Sequence, residues 1–129
     1  MKFRTGIDIV EIKRIENLIN EYGDKFLNRV YTEQEINYCN NKNVNKYESF
    51  AARFSAKEAV FKAISELLDN KFDMEWKNVE IVNNENGRPS VVLSEELLEK
   101  IGNANLQIDI SLSHSNISAI ASVVVLIEE

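Results

Sequence analysis

Hydrophobic and polar positions change period several times along this 129-residue chain, and each change marks an element. Residues Phe3 to Val10 alternate around Gly6, with Ile7 and Ile9 on one parity and Asp8 on the other, which predicts a short strand. From Glu11 the apolar positions Ile12, Ile15, Leu18 and Ile19 recur at helical spacing, and Gly23 is placed to cap that helix. Thr32 followed by Glu35 has the form of a capping box and predicts a second helix that ends in the asparagine-rich stretch Asn40 to Asn45. The longest predicted helix runs from about Tyr47 to Leu68, with Phe50, Phe54, Phe61, Ile64 and Leu68 as its apolar stripe.

After a polar turn near Asp69 to Asp73, the residues Trp76, Val79 and Ile81 read as a strand. Asn86-Gly87-Arg88-Pro89 reads as a turn to a partner strand at Val91 to Leu93. Ser94 can cap a short helix carrying Leu97, Leu98 and Ile101, which Gly102 ends. Leu106, Ile108, Ile110 and Leu112 then alternate with polar residues, and His114 falls on their parity. A turn at Ser115 and Asn116 leads into SAIASVVVLI, apolar on both parities and so read as a strand covered on both faces. The order of elements describes an α+β fold, a mainly antiparallel sheet packed against a long helix, in one domain over residues 1–129.

Charge and composition narrow the function classes. The net charge of -6 argues against non-specific binding to nucleic acid or an anionic membrane, although a few clustered cations can still make a local site for an anionic ligand. The single cysteine, Cys39, excludes an intramolecular disulfide and Cys-based metal patterns. No run approaches the roughly 18 apolar residues of a membrane helix, and MKFRTGIDIVEIKRI lacks the marks of a signal peptide, so a cytoplasmic protein is expected.

Four features carry possible chemistry. Asp8, bracketed by Ile7, Ile9 and Val10, is either an exposed-face aspartate or a carboxylate that needs a cation. Glu58 and Lys62 lie one helical turn apart, an arrangement that serves equally as a surface ion pair or as part of a site. Lys57 falls close to the apolar stripe, where an ammonium must snorkel to solvent or meet an anion. His114 is the only histidine; with Ser113 and Asp109 it cannot form a catalytic triad, because adjacent residues of a strand point to opposite faces.

These segments together resemble the holo-acyl-carrier-protein synthase family, the small phosphopantetheinyl transferases, over most of the chain. The resemblance rests on GIDIVEIKRI at Gly6 to Ile15, RFSAKEAVFKA at Arg53 to Ala63, VEIVNNENGRPSV at Val79 to Val91, and ISLSHSNISAIASVVV at Ile110 to Val125. It implies the phosphopantetheinyl transferase fold and a transfer of 4'-phosphopantetheine from coenzyme A to a serine of apo-acyl carrier protein, in fatty acid biosynthesis, with release of adenosine 3',5'-bisphosphate.

By the same resemblance, Asp8 and Glu58 hold magnesium, Glu58 is the candidate base for the serine proton, and Lys62 contacts the coenzyme pyrophosphate. Arg53, Lys57, Asn86, Gly87, Pro89, His114 and Ser115 line the coenzyme site, while Lys13, Arg14 and Arg29 dock the acidic carrier protein. It further implies a homotrimer with active sites at subunit interfaces. Relatives carry a glycine-rich stretch after the lysine matched by Lys62, whereas this chain continues AISELLDNKFDMEW, so the helix is expected to run on through Ser65 and Glu66. The competing functions are a non-catalytic binding module of the same fold and a metal-independent thioesterase or dehydratase acting on acyl-coenzyme A.

Overall fold

The alternating segments at the two ends of the chain meet in one sheet. In the computed structural model, which describes residues 1–70 and 73–128, β1 (Lys2–Glu11), β4 (Asn105–His114) and β5 (Ser118–Glu128) form an antiparallel sheet in the order β1-β5-β4. The register sets Asp8 opposite Ala121 and His114 opposite Ala119, so β1 and β4 are opposite edges of the sheet. β2 (Val79–Asn83) and β3 (Pro89–Leu93) make a separate antiparallel hairpin. Trp76, expected in the strand, instead lies in the 3-10 turn Trp76–Asn78 that precedes it.

Among the described residues, five α-helices connect these strands: α1 (Ile12–Tyr22), α2 (Asp24–Val30), α3 (Glu33–Asn40), α4 (Lys46–Ile64) and α5 (Glu95–Lys100). Local signals explain most of their ends. Gly23 takes φ +56° after α1, a conformation that favours glycine, and the chain restarts at once as α2, a helix the sequence pattern did not reveal. Thr32 and Glu35 form the reciprocal capping box of α3, and the Ser94 hydroxyl accepts from the Leu97 N–H at the start of α5. The polar turn expected near Asp69 to Asp73 includes residues 71 and 72, which lie outside the described residues.

The long helix differs from expectation in two ways. It ends at Ile64 and tightens into the 3-10 turn Ser65–Leu67, where the Ser65 hydroxyl donates to the Lys62 carbonyl and so competes with the helical ladder. It also has no single apolar stripe, because twelve of its residues are buried, Arg53, Ser55 and Lys57 among them. α4 is enclosed because it belongs to two apolar clusters. Ala56, Val60 and Ile64 pack with Val79, Ile81, Val123 and Val125, whereas Phe50 and Phe54 pack with Ile15, Tyr31 and Cys39. Each fully buried branched or aromatic side chain of this kind contributes about 1.5–3 kcal/mol.

β1 approaches α4 closely because Gly6 has no side chain; a Cβ there would lie 1.9 Å from the Ala59 carbonyl oxygen. The small residues Ala119 and Ala121 of β5 are buried on the same inner face. The outer face is not covered by any of the described residues. Phe3, Ile7 and Ile9 are 64%, 61% and 64% exposed, and Val124 is also exposed. This overturns the expectation that β5 is covered on both faces: Ala119, Ala121, Val123, Val125 and Ile127 are buried, but the other parity, which carries Val124, is not.

Candidate active site

Asp8 shares the inner parity of β1 with Gly6 and Val10, and this directs its carboxylate to the helix. Its Oδ1 pairs with the Lys62 Nζ at 3.0 Å, and its backbone carbonyl accepts from the Ser55 hydroxyl at 2.8 Å. Lys62 also donates to the Ile7 carbonyl at 3.0 Å. Partial burial raises the pKa of Glu58, and the nearby Asp8 charge raises it further, while Lys62 and Arg14 oppose the shift. Two carboxylates therefore lie close enough to feel each other's charge, with Lys62 and Arg14 as the cations beside them. Among the described residues there is no cluster of three or more His, Cys, Asp or Glu side chains able to hold a metal. A pair of carboxylates is nevertheless a sufficient protein donor set for magnesium, which keeps several waters and takes further oxygens from substrate phosphates.

A second region lies on the other side of α4. An open cleft of about 550 Å³ is lined by Ser49, Ala52 and Arg53 of α4, by Gly87, Arg88 and Pro89 at the hairpin tip, and by Ser111, Leu112 and His114 of β4, together with Tyr38, Lys42, Glu48 and Asn83. Arg53 is buried beneath it. Its guanidinium lies 4.1 Å from the Tyr38 ring centroid, one Nη donates to Ser49 and the other to Asn83, and its Nε has no hydrogen-bond partner among the described residues. Asn83 in turn donates to the Gly87 carbonyl at 2.8 Å, which ties the hairpin tip to the helix. His114 Nδ1 lies 3.8 Å from Glu48. Lys42, Arg53 and Arg88 give the cleft three cations in a protein of net charge -6.

The two regions are separated by the helix itself. From Ser49 to Glu58, and from Arg53 to Lys62, is nine residues, or about half a turn beyond two full turns. Glu58 and Lys62 thus face away from the cleft. The sheet repeats the separation, since Asp8 is on one edge strand and His114 on the other, with β5 between them and about 9.5 Å from β1 to β4. None of Asp8, Glu58 and Lys62 lines the cleft.

Of the residues expected around the coenzyme, Arg53, Gly87, Pro89 and His114 line the cleft. Asn86 and Ser115 adjoin it without lining it. Asn86 donates its N–H to Asn84, and the Ser115 hydroxyl accepts from the N–H groups of Ile117 and Ser118, closing the β4–β5 turn. Lys57 requires a correction. It is fully buried, 2.8 Å from the equally buried Glu35, and it donates to the carbonyls of Trp76 and Val79, so its anionic partner is internal and its three N–H donors are already engaged. Lys42 and Arg88 are not named by the sequence reading: Lys42 sits in a stretch that reads only as an asparagine-rich loop, and Arg88 lies within the Asn86 to Pro89 turn expected at the coenzyme site without being singled out.

A groove of about 490 Å³ lies between α1, α2 and α4. Leu18, Tyr22, Phe26, Phe54 and Trp76 supply its apolar wall, and Arg14, Lys25 and Arg29 supply its cations. Phe54 and Trp76 stack with centroids 4.7 Å apart, and the Arg14 guanidinium lies 5.8 Å from the Phe54 ring. Lys13, grouped with Arg14 and Arg29 in the sequence, instead pairs with Glu16 outside the groove.

Residues 4–119 match the family profile of ACPS, the 4'-phosphopantetheinyl transferase superfamily. The chain is 41% identical over 121 residues to the holo-[acyl-carrier-protein] synthase of Koribacter versatilis, covering 93% of this chain and 94% of that one. Among solved structures it is similar to a holo-(acyl-carrier-protein) synthase from Bacillus anthracis in complex with CoA (3',5'-ADP), with 32% identity, a TM-score of 0.74 and coverage of 95% and 94%. The Chronobacterium ammoniagenes ACPS-CoA complex, at 21% identity and complete coverage of both chains, shares the fold with a TM-score of 0.86. The chain belongs to the 4'-phosphopantetheinyl transferase superfamily and, within it, to the holo-[acyl-carrier-protein] synthases.

Proposed function

We propose that residues 1–129 form one domain that transfers 4'-phosphopantetheine from coenzyme A to a serine of apo-acyl carrier protein, and that each active site is shared between two copies of the chain. The observation that carries the shared site is the half-turn offset along α4: the carboxylates and Lys62 face one side, the cationic cleft the other. One chain presents both halves but does not join them. In a ring of three, the outward apolar face of Phe3, Ile7, Ile9 and Val124 is buried against neighbouring copies, and the carboxylate half of one copy meets the cleft of the next.

At such an interface Lys42, Arg53, Arg88 and His114 hold the coenzyme phosphates and nucleotide, while Lys62 of the adjoining copy meets the pyrophosphate. Asp8 and Glu58 would hold a magnesium ion, which when bound would neutralise charge on the pyrophosphate. The carrier serine oxygen forms a bond to the β-phosphorus as the bond to the departing adenosine 3',5'-bisphosphate breaks, and Glu58 is the group placed to accept the serine proton. Most of the acceleration comes from placement and electrostatics, as in other phosphoryl transfers.

The groove of Arg14, Lys25 and Arg29 is the docking place for the acidic carrier, with Trp76, Phe54 and Phe26 receiving an apolar side chain from it. Lys13 adds long-range attraction from its exposed position beside the groove. The compartment that fits is the cytoplasm, where fatty acid biosynthesis consumes the holo-carrier; no helix among the described residues is long and apolar enough to cross a membrane. The shared site is tested by mixing two inactive variants, Arg53→Ala and Glu58→Gln, under conditions that exchange subunits. Recovery of transfer in the mixture, from interfaces that combine an intact cleft with an intact carboxylate pair, is the expected result. A mixture as inactive as its parts would overturn the shared site.

A further inference from the structure

Charged side chains are almost never fully buried, yet Lys57 and Glu35 are both 0% exposed. Burying such a pair yields little net stability compared with an apolar pair of similar size. What the pair touches accounts for its place. Lys57 Nζ donates to the carbonyls of Trp76 at 3.2 Å and Val79 at 2.5 Å, and Glu35 Oε2 accepts from the Ile81 N–H at 2.9 Å. Glu35 Oε1 meets both Lys57 and the Thr32 N–H, and so anchors the start of α3.

β2 pairs with β3 on one side only and is the open edge of a two-stranded sheet. The carbonyl of residue 79 and the N–H of residue 81 are the two groups that a residue of a neighbouring parallel strand would bond. The ion pair takes them instead. In this way β2 is fixed to α3 and α4 two residues before Asn83, which holds Arg53 and, through Gly87, the hairpin tip. Arg53 itself lies one helical turn before Lys57 on α4.

We infer that the buried Lys57–Glu35 pair is a positioning device for the coenzyme cleft: it stands in for a third strand on β2 and thereby sets Asn83 against Arg53. This rests on the reading of the cleft as the coenzyme site. The bridge reaches the carrier groove only at the Trp76 backbone carbonyl, a contact that Glu35→Gln leaves in place, so in that variant the effect of disrupting the pair falls on coenzyme binding.

The test is the Kd for coenzyme A, measured by calorimetry on full-length wild type, Lys57→Met, Glu35→Gln, Asn83→Ala and the Lys57→Met/Asn83→Ala double variant. Circular dichroism establishes which variants fold, and the Kd for the apo-carrier is measured alongside. Glu35→Gln keeps side-chain volume and an acceptor for Ile81, and so carries the test if Lys57→Met does not fold. We expect the folded variants to lose about tenfold or more in coenzyme affinity, while carrier affinity in Glu35→Gln and Asn83→Ala stays within about twofold. We also expect the double variant to be no worse than the weaker single by more than about twofold, because both changes act through one contact. Unchanged coenzyme affinity in a folded variant, equal losses for coenzyme and carrier in Glu35→Gln, or additive losses in the double variant would each overturn the inference. Failure of the wild type itself to bind coenzyme A would instead overturn the assignment of the cleft.

Discussion

Gly6 is the residue on which the placement of the carboxylate pair depends most sharply, and Gly6→Ala tests it with a single methyl group. An added Cβ meets the Ala59 carbonyl oxygen at 1.9 Å, the Ala59 carbonyl carbon at 2.9 Å and the Ala63 nitrogen at 3.2 Å, all of them backbone atoms of α4. No side chain can rotate away, so relief to the shortest tolerated contact requires β1 and α4 to part by about 1.1 Å. Overpacking of this kind costs about 1–3 kcal/mol, and a rigid obstacle puts the cost at the upper end, equivalent to a fall in Tm of about 5–15 °C. Asp8 lies two residues along β1, and Glu58 immediately precedes Ala59, so the same movement separates the two carboxylates and lengthens the Lys62–Asp8 contact. A misplacement of about 1 Å costs roughly a hundredfold in rate. The assays are thermal unfolding and the transfer rate at increasing magnesium; the variant should be folded at 20 °C, slower, and in need of more magnesium. A folded Gly6→Ala protein with the wild-type rate and magnesium requirement would refute the claim that this contact sets the site.

Three further predictions concern other parts of the molecule. Ile9→Asp on the outer sheet face should leave the fold intact but reduce the solution molar mass from three times 14.8 kDa to a single chain, with loss of transfer; sedimentation of a wild-type monomer would contradict the assembly. Arg29→Glu should raise the KM for the carrier about tenfold with little change in kcat, and added salt should raise the wild-type KM in the same direction; a KM insensitive to both would remove the groove from carrier recognition. Burial pushes the Tyr31 hydroxyl well above its ordinary 10.0 and the Cys39 thiol above 9.0, so the stability these groups contribute is fully present below those values and is lost as pH rises past them, because the unfolded chain ionises first. Chemical denaturation from neutral pH to about pH 11 should therefore show a steep alkaline loss, shallower in Tyr31→Phe despite the lost hydrogen bond to the Phe50 carbonyl at 2.8 Å.

Much of the fold is legible locally because its signals are short-range. The capping box of Thr32 and Glu35, the caps at Gly23 and Ser94, and the alternation of β1 and β4 each occupy a few neighbouring residues, and the structure reproduces them. α2 is not legible because its seven residues follow directly on the glycine that ends α1, leaving no loop composition to separate them. The apolar pattern of β5 does not say which of its faces this chain covers: one parity is buried, and the other, which carries Val124, is exposed.

The site divides in the same way. The parity of Asp8 and the one-turn spacing of Glu58 and Lys62 are visible in one dimension, whereas the closeness of β1 to α4 at Gly6 is a tertiary fact. Glu35 is readable as a capping residue; its bond to Lys57, twenty-two positions away, and its hold on β2 depend on how three elements pack. Lys42 and Arg88 are isolated cations in loop sequences, and only the convergence of α3, α4, β4 and the hairpin tip makes them a cluster.

The central claim, transfer of phosphopantetheine by this chain, is tested most directly by the mass of the carrier. Apo-acyl carrier protein incubated with this protein, coenzyme A and magnesium should gain one phosphopantetheine group per chain, on a single serine, and gain nothing when Glu58→Gln replaces the wild type. A carrier whose mass does not change with the wild-type protein under any divalent metal would contradict the account.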